Sequence, residues 1–203
     1  MHEMVIRGGF VVDGTGRPGR IADVVVNDGV ITAVVDAEAG IDTGEAARVI
    51  DASGKLVTPG WVDIHTHYDG QASWDPYLTP SSWHGVTTVV MGNCGVGFAP
   101  AAPDRHEWLI ELMEGVEDIP GAALTEGLVW DWESFEDYLD ALDRRQFVID
   151  IGAQVAHGPV RAYVMGERGA DNEAPTEDDI AAMAELARQA IESGALGFTT
   201  SRT

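Results

Sequence analysis

The fold is decided by one stretch, Pro59-Gly60-Trp61-Val62-Asp63-Ile64-His65-Thr66-His67. Val62 and Ile64 alternate with polar residues, so a strand over 61–67 would place Asp63, His65 and His67 on one face. Two imidazoles at positions i and i+2 can point at one metal ion, and imidazole suits zinc and its neighbours in the first transition row. A bare His-x-His pair also arises by chance. The residues around it must therefore decide whether it is a metal site.

The chain before this stretch is typical of short β-strands joined by turns. Two β-branched runs, 21–26 and 30–35, flank Asn27-Asp28-Gly29. This arrangement is a strong hairpin signal, because tight turns need a positive φ. The pattern predicts a small antiparallel β-sandwich portion over residues 1–60. It leaves open whether that portion stands free or flanks a larger domain.

The periodicity changes after Gly60. Strands are predicted over 61–67, 86–91, 147–155 and 196–200, and they alternate with helical segments near 104–116 and 131–144 and a third beginning at Thr176. Val86–Met91 is a continuous apolar run, typical of a parallel strand buried on both faces. Asp131 is the predicted N-cap of the second helix, and Thr176 and Asp179 predict a capping box for the third.

The fold class predicted from this alternation is α/β. Residues 61–203 supply about four strands, the first half of a (β/α)₈ TIM barrel, which needs eight strands and typically about 250 residues. An open, doubly wound four-stranded domain is the structural alternative. In the barrel interpretation the active site lies at the C-terminal ends of the strands.

The candidate residues lie at or near the C-terminal ends of the predicted strands. His65, His67 and Cys94 are the candidate metal ligands, and Asn93 and His157 are candidates for the substrate pocket. Asp63 is a further candidate, because it shares the histidines' face and could accept a hydrogen bond from a ligand. Cys94 could equally be a small buried hydrophobe. Asp69 and the acidic residues of 111–118 are predicted to be solvated.

Three motifs resemble one family. The run from Val49 to His67 resembles the signature of the metal-dependent amidohydrolase superfamily. Gly92-Asn93-Cys94-Gly95 and Gly194-Ala195-Leu196-Gly197-Phe198-Thr199-Thr200 are similar to segments of the N-acyl-D-amino-acid deacylases, also called D-aminoacylases. The resemblance spans residues 4–203.

The resemblance implies a β-sandwich beside a TIM barrel, and one or two divalent cations, with Zn²⁺ expected. It implies that His65, His67 and the Cys94 thiolate bind the metal. The implied reaction is hydrolysis of a linear amide, converting an N-acyl-D-amino acid to a D-amino acid and a carboxylate. In the family two later histidines and an aspartate general base complete the site. These are expected beyond residue 203, so little activity is expected from this chain alone.

Two alternatives remain. Many amidohydrolases, including hydantoinase- and dihydropyrimidinase-like enzymes of cyclic amides, bridge two metals with a carboxylated lysine on the fourth strand. Lys55 is the only lysine here and precedes the barrel, which disfavours that branch. The other alternative is a non-catalytic, truncated barrel module that acts in assembly or binding.

Composition restricts the partners and the compartment. Twelve basic and 34 acidic residues give a net charge of −22, which argues against nucleic acid or an anionic membrane surface as a partner. No run approaches the roughly 20 apolar residues that span a membrane. With one cysteine and no signal-peptide pattern, we expect a cytoplasmic protein that acts on a small molecule and can form a homo-oligomer.

Overall fold

A computed structural model describes residues 1–39 and 44–201. The chain divides into two compact units, Met1–Gly60 and Trp61–Thr203. Among the described residues, no helix combines the length and the apolar character that crossing a bilayer requires.

The described part of Met1–Gly60 forms one five-stranded sheet. Its strands are β1 (His2–Val11), β2 (Arg20–Asn27), β3 (Val30–Asp36), β4 (Ala46–Asp51) and β5 (Leu56–Val57). The sheet order is β3-β2-β1-β4, and β5 also pairs with β1. The turn between β2 and β3 contains Asp28 and Gly29, both with positive φ, as the hairpin prediction requires.

The prediction of an antiparallel module is wrong for two strand pairs. β4 and β5 both run parallel to β1. Gly8 and Gly9 lie within β1, which continues through them with a shift of register. Gly8 has a φ of 66° there, which a glycine adopts without strain. β1 is therefore long enough to pair with β2 on one side and with β4 and β5 on the other.

The sheet of this unit buries a small apolar cluster. Val11, Ala22 and Val24 are buried, and partly buried side chains from β1, β3 and β5 pack against them. Ala22 and Val24 are two residues apart on β2, so they lie on one face of the sheet.

Parallel strands define the second unit, Trp61–Thr203. They are β6 (Trp61–Asp63), β7 (Val86–Met91), β8 (Asp150–Ala153), β9 (Val155–Ala156) and β10 (Phe198–Thr199). β6, β7 and β8 form one parallel ladder in that order, and β9 pairs in parallel with β10. β8, an edge strand of the first group, ends at Ala153, and β9, which belongs to the second group, begins at Val155. Only Gln154 separates the two strands along the chain.

The helices of this unit lie between the parallel strands. They are α1 (His106–Glu117), α2 (Gly121–Gly127), α3 (Phe135–Asp143), α4 (His157–Met165), α5 (Glu167–Ala170) and α6 (Glu177–Ser193). The capping box predicted for α6 is confirmed, with Thr176 as N-cap and Asp179 bonding back to it.

The N-cap predicted for α3 is wrong. Ser134 caps this helix and forms a capping box with Asp137. The carboxylate of Asp131 instead accepts hydrogen bonds from Arg144 and Arg145, beyond the other end of the helix. Both Ser134 and Asp131 are good cap residues, and the ion pairs determine which one is free to serve.

An aromatic core supports the loops at one end of this parallel sheet. Phe98, Trp132 and Tyr138 are buried together with Met91, the last residue of β7. The indole N–H of Trp132 donates to the Phe98 carbonyl at 2.7 Å, and the Tyr138 hydroxyl donates to the Asp69 carbonyl at 2.9 Å. These buried hydrogen bonds fix the loops that follow β6 and β7 against α3.

The predicted strand over 61–67 is too long. β6 ends at Asp63, and the Asp63 carboxylate accepts a hydrogen bond from the His65 backbone N–H at 3.3 Å. Aspartate often forms such a local turn, and here the turn takes the place of the next pair of backbone hydrogen bonds between the strands. His65 and His67 therefore lie in the loop after the strand, and strand alternation is not what orients them.

Gly92, directly after β7, is essential to the packing of this unit. It has a φ of +83°, and a Cβ added there would lie 2.0 Å from the Gln154 carbonyl oxygen. Gly85 has the same φ, but its added Cβ would meet nothing closer than the Trp61 ring at 3.5 Å. Alanine at either position would have a strained left-handed backbone, but only alanine at Gly92 would also clash with a neighbouring residue. Comparing the two substitutions therefore separates the two effects.

We predict that Gly92→Ala lowers the free energy of unfolding of this unit by about 3 kcal/mol or more, from backbone strain plus overpacking. Gly85→Ala should cost about 1–2 kcal/mol, from the backbone alone. Tryptophan fluorescence during urea unfolding measures both, because all six tryptophans lie at or after position 61. Equal losses in the two variants would contradict the clash.

Candidate metal centre

The loop after β6 is tied to the end of β7 by Thr66. Its backbone N–H and its hydroxyl both donate to the Val90 carbonyl, at 3.0 and 2.9 Å. Thr66 is buried, whereas the flanking His65 is exposed and His67 is partly buried. The loop therefore holds the backbone between the two histidines against the neighbouring strand.

A left-handed turn after β7 presents Cys94. Gly92, Cys94 and Gly95 all have positive φ, and the value for Cys94 is 54°. A left-handed conformation is rare for a residue with a side chain, and such strain is found most often at functional sites. Gly95 is also confined, since an added Cβ would lie 3.1 Å from the backbone at Thr200 and Ser201.

Asn93 joins this turn to the loops on either side. Its side-chain amide donates to the Val90 carbonyl at 2.9 Å and makes a long contact of 3.5 Å with the Thr66 carbonyl. Its Oδ1 accepts a hydrogen bond from the Gln154 side chain at 3.0 Å. Asn93 is buried, so its side chain positions the loops around Cys94.

His65, His67 and Cys94 come together in the folded chain. The Nε2 atom of His65 lies 3.0 Å from the Cys94 Sγ, and the two imidazole rings have centroids 5.4 Å apart. One ligand atom from each of the three residues lies within 4.8 Å of the others. The donors of a tetrahedral zinc ion, with bonds of about 2.0–2.3 Å, are roughly 3.5 Å apart, so a small adjustment would suit such an ion.

The electrostatics of the three side chains are compatible with a soft divalent cation. Burial lowers the pKa of His67, against the opposing charge of Glu117 and together with that of His65. Burial, and to a lesser extent Glu117, raises the pKa of the Cys94 thiol. The Nδ1 atom of His67 is buried and has no hydrogen-bond partner. The lowered pKa of His67 favours its neutral form, which can bind a metal. Imidazole and thiolate are ligand types that zinc accepts.

Two carboxyl groups beside the cluster were predicted to be solvated, and that prediction is wrong. Glu117, the last residue of α1, has an oxygen 3.3 Å from the His67 Nε2. Asp69 is only 3% exposed, and burial raises the pKa of its carboxyl to about 7. An acidic run at a helix end has the same pattern whether it faces water or a neighbouring loop, so the sequence carries no signal for Glu117. The burial of Asp69, a single acidic residue in a loop, depends on the elements that fold over it.

The three candidates for the substrate pocket lie in different surroundings. His157, the first residue of α4, lines a cavity of about 600 Å³ that Cys94 also lines. Its Nδ1 is 3.3 Å from the Thr200 hydroxyl. Asn93 is buried within the loops, and Asp63 bonds to the His65 backbone; neither lines this cavity.

The cavity next to Cys94 has both apolar and polar lining residues. Trp108, Leu112 and Val116 of α1 are apolar, and His157 and Arg161 of α4 are polar. Burial, and to a smaller extent the charge of Arg161, lowers the pKa of His157. A small amphiphilic molecule, with an apolar group and a polar or charged group, would match these walls.

Known proteins with similar sequences and folds act on N-acyl amino acids. D-aminoacylase of Alcaligenes xylosoxydans xylosoxydans is 36% identical over 198 residues, which cover 98% of this chain and 37% of that protein. A structure of D-aminoacylase, which has a binuclear metal centre, gives a TM-score of 0.79 at 38% identity and covers 98% of this chain and 38% of its own.

N-acyl-D-glutamate deacylase from Bordetella bronchiseptica, complexed with zinc and a phosphonate inhibitor that mimics the tetrahedral intermediate, is similar to the same degree. Its TM-score is 0.79 at 35% identity, with coverage of 98% of this chain and 38% of that chain. The chain therefore spans just over a third of the length of these relatives.

The family resemblance inferred from the motifs is confirmed. The mixed α/β fold matches that of D-aminoacylase. The sequence profile of the amidohydrolase family matches residues 48–203, three quarters of the chain, and the chain belongs to that family.

Proposed function

We propose that this chain carries part of the active site of a zinc-dependent amidohydrolase that removes the acyl group from N-acyl-D-amino acids. In this proposal His65, His67 and Cys94 bind one or two divalent cations. The products are a D-amino acid and a carboxylate. The proposal concerns the site as a whole, of which this chain supplies the first groups along the sequence.

The approach of a thiol to two imidazoles is the observation that carries the proposal. The Cys94 Sγ lies 3.0 Å from His65, and the ligand atoms of all three residues lie within 4.8 Å of each other. The three side chains come from two loops that follow parallel strands, which is where α/β enzymes place their reactive groups. The relatives with the same fold include a zinc complex and a binuclear enzyme, which supports zinc as the metal.

A bound divalent cation would polarise the amide carbonyl and lower the pKa of a bound water toward about 7. The residues of this chain have separate tasks in that chemistry. His65, His67 and Cys94 would hold the cation, and Asn93 would keep the two loops in register. His157 would contact the substrate within the cavity it shares with Cys94, where its neutral form can donate or accept one hydrogen bond.

The units of the chain fit the architecture proposed for such an enzyme. Met1–Gly60 would be part of a β-sandwich. Trp61–Thr203 would contribute the first four strands of a (β/α)₈ barrel. The parallel order β6-β7-β8, followed by the β9–β10 pair, supports this assignment. The substrate proposed for it is a small N-acyl amino acid whose apolar part packs on α1.

The first prediction concerns metal binding by Cys94. Co²⁺ added to the purified chain should give a thiolate-to-cobalt charge-transfer band in the near ultraviolet. Cys94→Ala should abolish the band and weaken Zn²⁺ binding by about 100-fold or more, because losing a ligand costs more than losing an outer contact. Titration calorimetry measures the Zn²⁺ affinity.

Matched histidine variants test whether the site is specific. His65→Ala should weaken Zn²⁺ binding strongly. His84→Ala should leave it unchanged, because His84 lies in the turn before β7 and outside the cluster. A charge-transfer band that survives in Cys94→Ala, or equal losses in the two histidine variants, would contradict the proposed ligands.

The second prediction concerns the reaction. The longest product of the reading frame that contains this chain should hydrolyse N-acetyl-D-amino acids in preference to the L-enantiomers. A chelator should remove the activity, and added Zn²⁺ should restore it. Release of free D-amino acid, followed by a D-amino-acid oxidase assay, measures the rate. Hydrolysis that is indifferent to the chelator, or that favours the L-enantiomer, would refute the proposed function.

A further inference from the structure

The carboxylate of Glu117 is placed where a helix disfavours it. Glu117 is the last residue of α1, and Asp118 follows it in a left-handed conformation. The C-terminal end of a helix carries a partial negative charge, so carboxylates there are destabilising. The last turn of α1 contains no basic residue. Nothing in the last turn of α1 itself therefore stabilises the negative charge of Glu117.

Within the described residues, the carboxylate of Glu117 contacts the His67 imidazole. The Glu117 Oε2 lies 3.3 Å from the His67 Nε2, and the two side chains are 21% and 16% exposed. Such limited exposure leaves their interaction weakly screened by salt. The negative charge of Glu117 also contributes to raising the pKa of both Cys94 and Asp69, after burial in each case. Its charge therefore acts on His67, Cys94 and Asp69.

Charge balance gives this carboxylate a role. Two neutral imidazoles and one thiolate leave a bound divalent cation with a net charge of plus one. A partly buried net charge is costly unless it is paired. Glu117 would bring the total to zero. In addition, the Glu117 oxygen lies 3.3 Å from the His67 nitrogen, next to the group that would hold the cation.

We propose that Glu117 is a fourth cation-binding residue of the centre, supplying a carboxylate oxygen beside His67. The group of His65, His67 and Cys94 is compact, and Glu117 lies at its edge, next to His67 alone. Binding would require a movement of the glutamate side chain toward the cation. This inference rests on the proposed metal centre and adds a ligand to it.

The experiment compares two cations in the 203-residue chain. Zn²⁺ tolerates nitrogen and sulfur ligands, whereas Mn²⁺ prefers carboxylate oxygen. Glu117→Gln should weaken Mn²⁺ binding by at least about tenfold and by a larger factor than Zn²⁺ binding. Glu117→Asp keeps the charge and should retain more Mn²⁺ affinity than Glu117→Gln. Electron paramagnetic resonance of free Mn²⁺ and calorimetry of Zn²⁺ measure the two affinities.

Glu111→Gln is the matched control, since it removes the same charge from an exposed position on the same helix. It should change either affinity by less than about twofold. Unchanged Mn²⁺ binding in Glu117→Gln, or the same loss in Glu111→Gln, would overturn the role of Glu117 while leaving the other ligands in place. Failure of the wild-type chain to bind either cation would instead refute the proposed metal centre, and this inference with it.

Discussion

The contact between the Cys94 thiol and the His65 imidazole is the interaction on which the account depends. It joins two loops that follow neighbouring parallel strands, and the two atoms are 3.0 Å apart. Thr66 holds one loop to the Val90 carbonyl, and Asn93 bonds to that same carbonyl from the other loop. The Val90 carbonyl, near the end of β7, therefore anchors both loops. The long contact between the Asn93 amide and the Thr66 carbonyl joins the loops directly.

The backbone around Cys94 shows how this position is maintained. Gly92 packs so closely on Gln154 that no side chain fits there, and Cys94 itself has a left-handed conformation. A strained residue persists only where its surroundings over-determine it. The buried hydrogen bonds of Asn93 and the aromatic core beneath the turn supply that support. The packing thus keeps the Cys94 sulfur close to the histidines.

Charge explains why a cation suits this place. The chain carries a net charge of −22. Glu117 contacts His67, and burial keeps the pKa of Asp69 near 7. In the described part of the chain, the ion pairs of lysine and arginine involve other carboxylates. A divalent cation would relieve this local excess of negative charge.

The sequence predicted features that depend on local patterns. Alternation and capping located β7 and α6, since period and cap chemistry act within a few residues. The extent of β6 was wrong, because the Asp63 side chain ends the strand by a bond that periodicity does not encode. The residues Glu117 and Asp69 were wrongly assigned to solvent, because their burial depends on which elements fold over them. Likewise, the parallel pairing of β4 with β1 depends on long-range contacts.

X-ray absorption at the zinc edge of the zinc-loaded chain tests the central claim most directly. The account predicts one sulfur at about 2.3 Å and nitrogen or oxygen donors at about 2.0–2.1 Å in the first shell. A first shell made only of nitrogen and oxygen, with no sulfur, would show that Cys94 does not bind the metal and would contradict the account.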